Sequence, residues 1–198
     1  GDTSNSPTNS NLRWREIIKA VEDVYSGKLG WVLPHTANVP ETFLALFDEI
    51  HYTWYGKITE DENTSVEPLK EILRGQLNSN ILLTFDAIQK PVFLHINFPS
   101  TDGVITGCAK GNNGSCLKPV QLRPGNIFPE TVILDLEEQA LIYTAFLELI
   151  NETYWISGVV SDDFFPPMGL VDFSSSVHGK PAEEILSAWY YAFLQNSH

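Results

Sequence analysis

His95 is the residue of this 198-residue chain whose setting says most about chemistry. It stands in Lys90-Pro-Val-Phe-Leu-His-Ile-Asn-Phe-Pro-Ser100. That run is an apolar strand after a proline start, and it breaks into a polar loop at its C-terminal end. Barrels and open α/β sheets place their chemistry at that end. The group standing there is an imidazole, with no carboxylate in the strand. It could act as a base, as a metal ligand or as a hydrogen-bonded strand-end residue, and the absence of a neighbouring carboxylate favours the last. His35 ends another strand and Asp162 or Asp163 a third, but no local ligand spacing joins them to His95. No metal and no cofactor is therefore expected. His51, near the start of its strand, is read as structural.

Tyr52, Trp54 and Tyr55 alternate along one strand. Core packing is the simplest reading; the sharper one gives Trp54 or Tyr55 a flat face on which a sugar ring stacks. Together with His95, Asn97 and Asp162 they form the candidate substrate-binding set. Phe164-Phe-Pro-Pro-Met168 reads as cover for the sheet or as a ligand-facing rim. Glu60-Asp-Glu62 reads as a solvated acidic loop. Glu130 and Asp135 could be drawn as catalytic carboxylates, but nothing pairs them, and Asp135 is better explained by the charge of a helix start.

The elements that must hold these groups follow from periodicity. Leu12, Trp14, Ile17, Ile18, Val21 and Val24 make a helical stripe over Leu12–Tyr25, with Gly27 as a stop. Leu29–Pro34 is a short strand, and Pro40–Phe47 a short helix with proline in its first turn. Ile50–Tyr55 is β-rich. A helix capped by Ser65 continues helically to about Ile88. Pro91–Asn97 is the next strand, and Thr101–Glu130 a long Gly/Asn/Pro-rich loop. Asp135–Asn151 is a helix, Tyr154–Val160 a strand, Ser161–Val177 an irregular loop and Pro181–Gln195 a last amphipathic helix. One helix followed by four strand–helix units implies parallel strands with right-handed crossovers, an α/β fold. Four units are too few to close a barrel of eight, so the expectation is a small open sheet or half a barrel. Residues 1–11, rich in Ser, Asn and Thr, read as a disordered tail or a processed start, and residues 12–198 as one domain.

A net charge of −13 and a pI near 4.6 argue against nucleic acid or an anionic membrane as partner. No apolar run is long enough to span a membrane, and no signal peptide is evident at the amino terminus. Cys108 and Cys116 are separated by a Gly/Asn-rich loop that suits a small disulfide, with two free thiols as the alternative. Asn63-Thr-Ser65, Asn113-Gly-Ser115 and Asn151-Glu-Thr153 match the glycosylation sequon. With the cysteine pair they point to a secreted or cell-surface protein.

Several segments together resemble one family. Trp14–Leu29 is similar to the helix–strand step of clan A glycoside hydrolases with a (β/α)8 barrel, in particular the family 113 mannanase-like group. Asp48-Glu-Ile-His-Tyr-Thr-Trp-Tyr55 resembles that group's sixth strand, Lys90–Ser100 its seventh, Glu138-Gln-Ala-Leu-Ile-Tyr143 the helix after it, Tyr154–Gly158 its eighth strand, and His178-Gly-Lys-Pro-Ala-Glu183 the entry to the closing helix. The likeness runs from Leu12 to Leu194 and matches the C-terminal half of such a barrel.

Such enzymes use an acid/base Glu after strand four and a nucleophile Glu at the end of strand seven. By the resemblance the first would lie before Gly1 and the second falls on His95, which can supply neither the negative charge nor the glycosyl ester. The aromatic that closes the sugar site after strand eight is replaced by Val160-Ser-Asp-Asp163. The resemblance therefore implies a secreted, catalytically inactive, carbohydrate-binding or structural half-barrel. Half a barrel leaves edges to cover, so a homo-oligomer or a separate N-terminal half-barrel chain is the expected partner, besides an oligosaccharide. The alternative is a C-terminal fragment of an active mannan or glucan hydrolase.

Overall fold

The computed structural model describes residues 10–111, 114–117, 122, 132–164 and 172–196. Four strands form one sheet: β1 (Gly30–Pro34), β2 (Glu49–Trp54), β3 (Val92–Ile96) and β6 (Ile156–Ser161). Their order is β1-β2-β3-β6 and every pairing is parallel, so each strand is reached by a crossover, as the alternation of elements requires. The short antiparallel pair β4 (Ala109–Lys110) and β5 (Cys116–Leu117) lies in the loop after β3. Cys108 and Cys116 are disulfide-bonded there, with Cα atoms 5.2 Å apart.

Helices cover one face of the sheet. They are α1 (Ser10–Glu22), α2 (Glu41–Leu44), α3 (Val66–Leu77), α4 (Leu83–Ile88), α5 (Leu136–Asn151) and α6 (Pro181–Asn196). Side chains alternate across a strand, so one parity meets this layer. Leu33, Ile50, Tyr52, Trp54, Val92, Leu94, Ile96 and Val159 are all buried, joined by Leu69, Leu73, Ile142 and Phe146 from the helices. Each fully enclosed Leu or Ile contributes about 2 kcal/mol of hydrophobic stabilisation. Trp31 anchors α1 and α2 through edge contacts with Trp14 and Phe43 at 5.2 and 5.1 Å.

Several boundaries differ from the sequence reading. α1 begins at Ser10, inside the expected tail, and stops at Glu22, five residues before Gly27. Asp23 and Tyr25 still bond back to Lys19 and Val21, so one further turn runs on past Glu22 toward Gly27. Ser65 occupies the N-cap of α3, but its side chain makes no capping bond. A π-turn at Asn78–Leu82 joins α3 to α4, and Gln89 closes that helical run with φ at +50°. Asp135 caps α5 outright, its carboxylate accepting from the Glu138 N–H at 2.8 Å.

The segment after β6 is stitched to the C-terminal end of β3. Lys180 Nζ, almost wholly buried, donates to the Ser100 hydroxyl at 2.9 Å and the Ser174 carbonyl at 2.8 Å, and faces Asp172 Oδ2 at 3.5 Å. Gln139 Nε2 donates to the Phe98 carbonyl at 2.7 Å. These bonds fix where β3 and β6 open into their loops.

Candidate functional site

The strand parity that does not face the helices lines a second, concave face. Register sets its members side by side: His51 opposite Phe93, Thr53 opposite His95, His95 opposite Val160. His51 and His95 are thus diagonal neighbours on one face, within reach of each other's rings. Phe93 stacks on His51 at 4.8 Å, and two glycines make room for these rings. A Cβ at Gly30 would lie 3.1 Å from the His51 ring, and one at Gly158 would lie 3.0 Å from Phe93.

A continuous polar chain runs along this face. Glu49 Oε1 meets His51 Nε2 at 3.1 Å, and His51 Nδ1 meets His95 Nε2 at 2.8 Å. His95 Nδ1 meets Asp162 Oδ1 at 2.8 Å. Asn97 Nδ2 donates to the second Asp162 oxygen at 3.4 Å. Both ring nitrogens of His95 are therefore engaged, and His95 is left with neither a free base nor a free nucleophilic nitrogen. Asp163, at φ +63°, turns away and accepts from the Ser175 hydroxyl at 2.5 Å.

His95, Asn97 and Asp162, three of the expected site residues, are brought together at the C-terminal ends of β3 and β6. Trp54 is not among them. Its parity places it in the helix-facing core, 1% exposed, stacked on His35 at 4.2 Å, so it presents no platform to a sugar. Tyr55, one residue on, is 46% exposed at the strand end, edge-on to His35. His35 is buried, bonds to the Thr53 carbonyl at 3.4 Å, and has its pKa pushed down by burial against the pull of that carbonyl. Asn63 is exposed, and Asn151 accepts from Trp189 Nε1 at 2.8 Å. Asn113, Glu130 and Phe165–Met168 lie outside the described residues.

The sequence puts His51 near the start of its strand, in a structural place; in the fold it is the direct partner of His95. Glu49 was not singled out at all. The signal that could have found both is the alternation Glu49-x-His51-x-Thr53 inside an otherwise apolar strand, which puts three polar residues on one face. The acidic loop Glu60-Asp-Glu62 is exposed, as expected, with Glu60 paired to Lys57 and Glu62 to Lys110 across the surface.

A separate acidic group lies at the start of α5. Asp102, Asp135 and Glu138 bring one oxygen each within 4.8 Å of one another. Each is already occupied: Glu138 accepts the Gly103 and Ile105 N–H groups at 2.7 and 2.8 Å, Asp135 caps the helix, and Asp102 meets Lys110 Nζ at 3.3 Å. Burial raises the Glu138 pKa to about 7 against the pull of those two amides. This cluster anchors the loop after β3 to α5.

No protein-family model matches the sequence, and no curated protein does. Among solved structures, two of a family 113 β-1,4-mannanase are each 22% identical to this chain with a TM-score of 0.63. One of them covers 91% of this chain and 50% of the mannanase; the other covers 92% and 52%. A β-glucuronidase from Ruminococcus gnavus is 13% identical, with a TM-score of 0.55, covering 93% of this chain and 30% of that one. The chain thus spans about half the length of the mannanase chains it matches, and its fold is that of half a glycoside-hydrolase barrel. The concave face is the side that a barrel encloses, and the strand ends carrying Asn97 and Asp162 are its mouth.

Proposed function

We propose that the chain is a secreted, glycoside-hydrolase-like half-barrel that binds β-linked saccharides at its mouth without cleaving them. The observation that carries this reading is the engagement of His95. The imidazole stands where the resemblance puts the nucleophile, and both its nitrogens are bonded, one to Asp162 and one to His51. Retaining hydrolysis needs two carboxylates about 5–5.5 Å apart, and inversion needs them about 6.5–9.5 Å apart. Asp162 is tied to His95 and Asn97, and Asp163 to Ser175. Tyr55, Asn97 and Asp162 supply an exposed aromatic and hydrogen-bonding groups of the kind a pyranose uses.

The two edge strands support the rest of the proposal, in which the sheet is completed by a second copy or by a separate chain carrying the other half of the barrel. The disulfide and the exposed Asn63 support an extracellular setting. Calorimetric titration with manno- and cello-oligosaccharides, alongside chromatographic analysis of products, tests the function. Saturable binding with no shortened products is expected, weakened roughly tenfold in Tyr55→Ala, which corresponds to about 1.4 kcal/mol. Release of shorter sugars would overturn it, as would the absence of any binding. Intact mass before and after deglycosylation tests the compartment.

The coverage of half a mannanase supports a second reading, a fragment of an active β-glycan hydrolase whose acid/base lies in another segment. In that case Asp162 would be the displaced nucleophile, and covalent labelling by a 2-fluoro-glycoside in the presence of the other half would reveal it.

A further inference from the structure

We infer that the concave face holds one proton more than its four side chains carry in their ordinary neutral-pH states, shared across the His51–His95 contact. Counting hydrogens leads there. The chain Glu49–His51–His95–Asp162 contains three contacts, at 3.1, 2.8 and 2.8 Å, and each needs one hydrogen between its two heavy atoms. Two ionised carboxylates bring none, and two neutral imidazoles bring one each. Two hydrogens cannot fill three contacts.

The tautomers make the shortage concrete. If His51 donates from Nε2 to Glu49 and His95 donates from Nδ1 to Asp162, both remaining ring nitrogens are bare. Their lone pairs would then face each other at 2.8 Å with nothing between them. Reversing either ring only moves the bare pair to a carboxylate. A third hydrogen closes the chain, and the pair of rings then carries one positive charge between two carboxylates. The surroundings suit that charge. Among the described residues, the charged partners of the rings are Glu49 on β2 and Asp162 after β6. From β1 the close neighbour is Gly30, and from β3 it is Phe93, stacked on the His51 ring. Neither brings a competing cation.

This goes beyond saccharide binding and does not depend on it. It makes the concave face a proton-binding site whose occupancy fixes the rotamers of His95 and Asp162. When the proton leaves, one of the three contacts opens, and the Glu49 contact is the longest.

Long-range 1H–15N correlation spectra of the imidazoles in the intact chain, recorded from pH 5 to 9, read the count directly. Expected at pH 7.5 are three ring-bound hydrogens across His51 and His95, while His35 carries one. Two neutral rings with one hydrogen each at that pH would overturn the inference. His51→Asn supplies an amide donor near the place of Nδ1, so it closes the contact to His95 without the extra hydrogen. In urea unfolding, the wild-type folding constant should fall by up to tenfold per pH unit relative to His51→Asn above about pH 6.5, where free imidazoles are neutral. Parallel pH profiles for the two proteins would equally overturn it. Should the variant fail to fold, the wild-type spectra decide alone.

Discussion

At the scale of single residues, burial decides what a charged group does here. Glu138 is the clearest case. Its neutral form is favoured in the folded protein, with a pKa of about 7 against an ordinary 4.5, chiefly because it is removed from water. The group's stabilising share is therefore complete below about pH 4.5 and is lost as pH rises to 7. We predict a fall in stability across that window on the order of 1 kcal/mol after solvent screening, absent in Glu138→Gln. Thermal unfolding of both proteins at pH 4.5, 5.5 and 7 would show it, and parallel curves would refute it. Lys180 behaves in the opposite sense: burial pushes its ammonium below the usual range, with Asp172 pulling back. Asp172 is itself pushed up by burial, but hydrogen bonds from Ser174 and the Lys180 charge outweigh that and hold it low. Asp172→Asn should cost about 2 kcal/mol in urea unfolding, below the range for a fully enclosed pair because Asp172 is partly exposed. A loss under 0.5 kcal/mol would mean that the carbonyl of Ser174 suffices.

At the scale of elements, caps and close approaches set the site. The carboxylate of Asp135 starts α5, and α5 carries Tyr143, whose hydroxyl contacts the Ile96 carbonyl at 3.2 Å and Ser161 Oγ at 2.8 Å. The helix thus clamps the ends of β3 and β6 from behind, just before Asn97 and Asp162. Asp135→Ala should cost about 1 kcal/mol as a lost N-cap. Because Asp135 also bears on Glu138, it should lower the pKa of Glu138 as well, which 13C NMR of the carboxyls would measure. Gly158→Ala is the sharper test of the concave face. A methyl 3.0 Å from the Phe93 ring must displace Phe93 and hence the ring stacked on it, His51. The expected result is a shifted His51 resonance and a loss of about 1–3 kcal/mol from overpacking. An unchanged His51 resonance would show that the aromatic layer yields without moving the pair.

At the scale of the whole molecule, the sheet ends on β1 and β6, neither of which has a further strand beside it among the described residues. Leu12, Ile17, Val24 and Tyr25 are exposed on and just after α1, and Tyr154, Tyr191, Phe193 and Leu194 around α6. These groups flank opposite ends of the sheet, next to the two edge strands β1 and β6. An isolated chain with two open edges and apolar flanks should associate. Light scattering is expected to give a mass above 22.2 kDa, reduced by Tyr191→Lys with Leu194→Lys. A well-folded monomer at that mass would count against completion by a partner.

The order of helices and parallel strands was legible in the chain because apolar periodicity and crossover chemistry are local properties. The place of His95 near the C-terminal end of its strand was legible for the same reason, since the proline start and the apolar run before the polar loop are local features. Sequence reading failed where side chains from separate strands meet. Trp54 and Tyr55 read alike as aromatics, yet one residue of parity buried the first and exposed the second. His51 reads as an ordinary strand residue until the β2–β3 register sets it diagonally beside His95. Register comes from the packing of the whole sheet against its helices, so only the tertiary structure could join Glu49, His51, His95 and Asp162 into one chain of contacts.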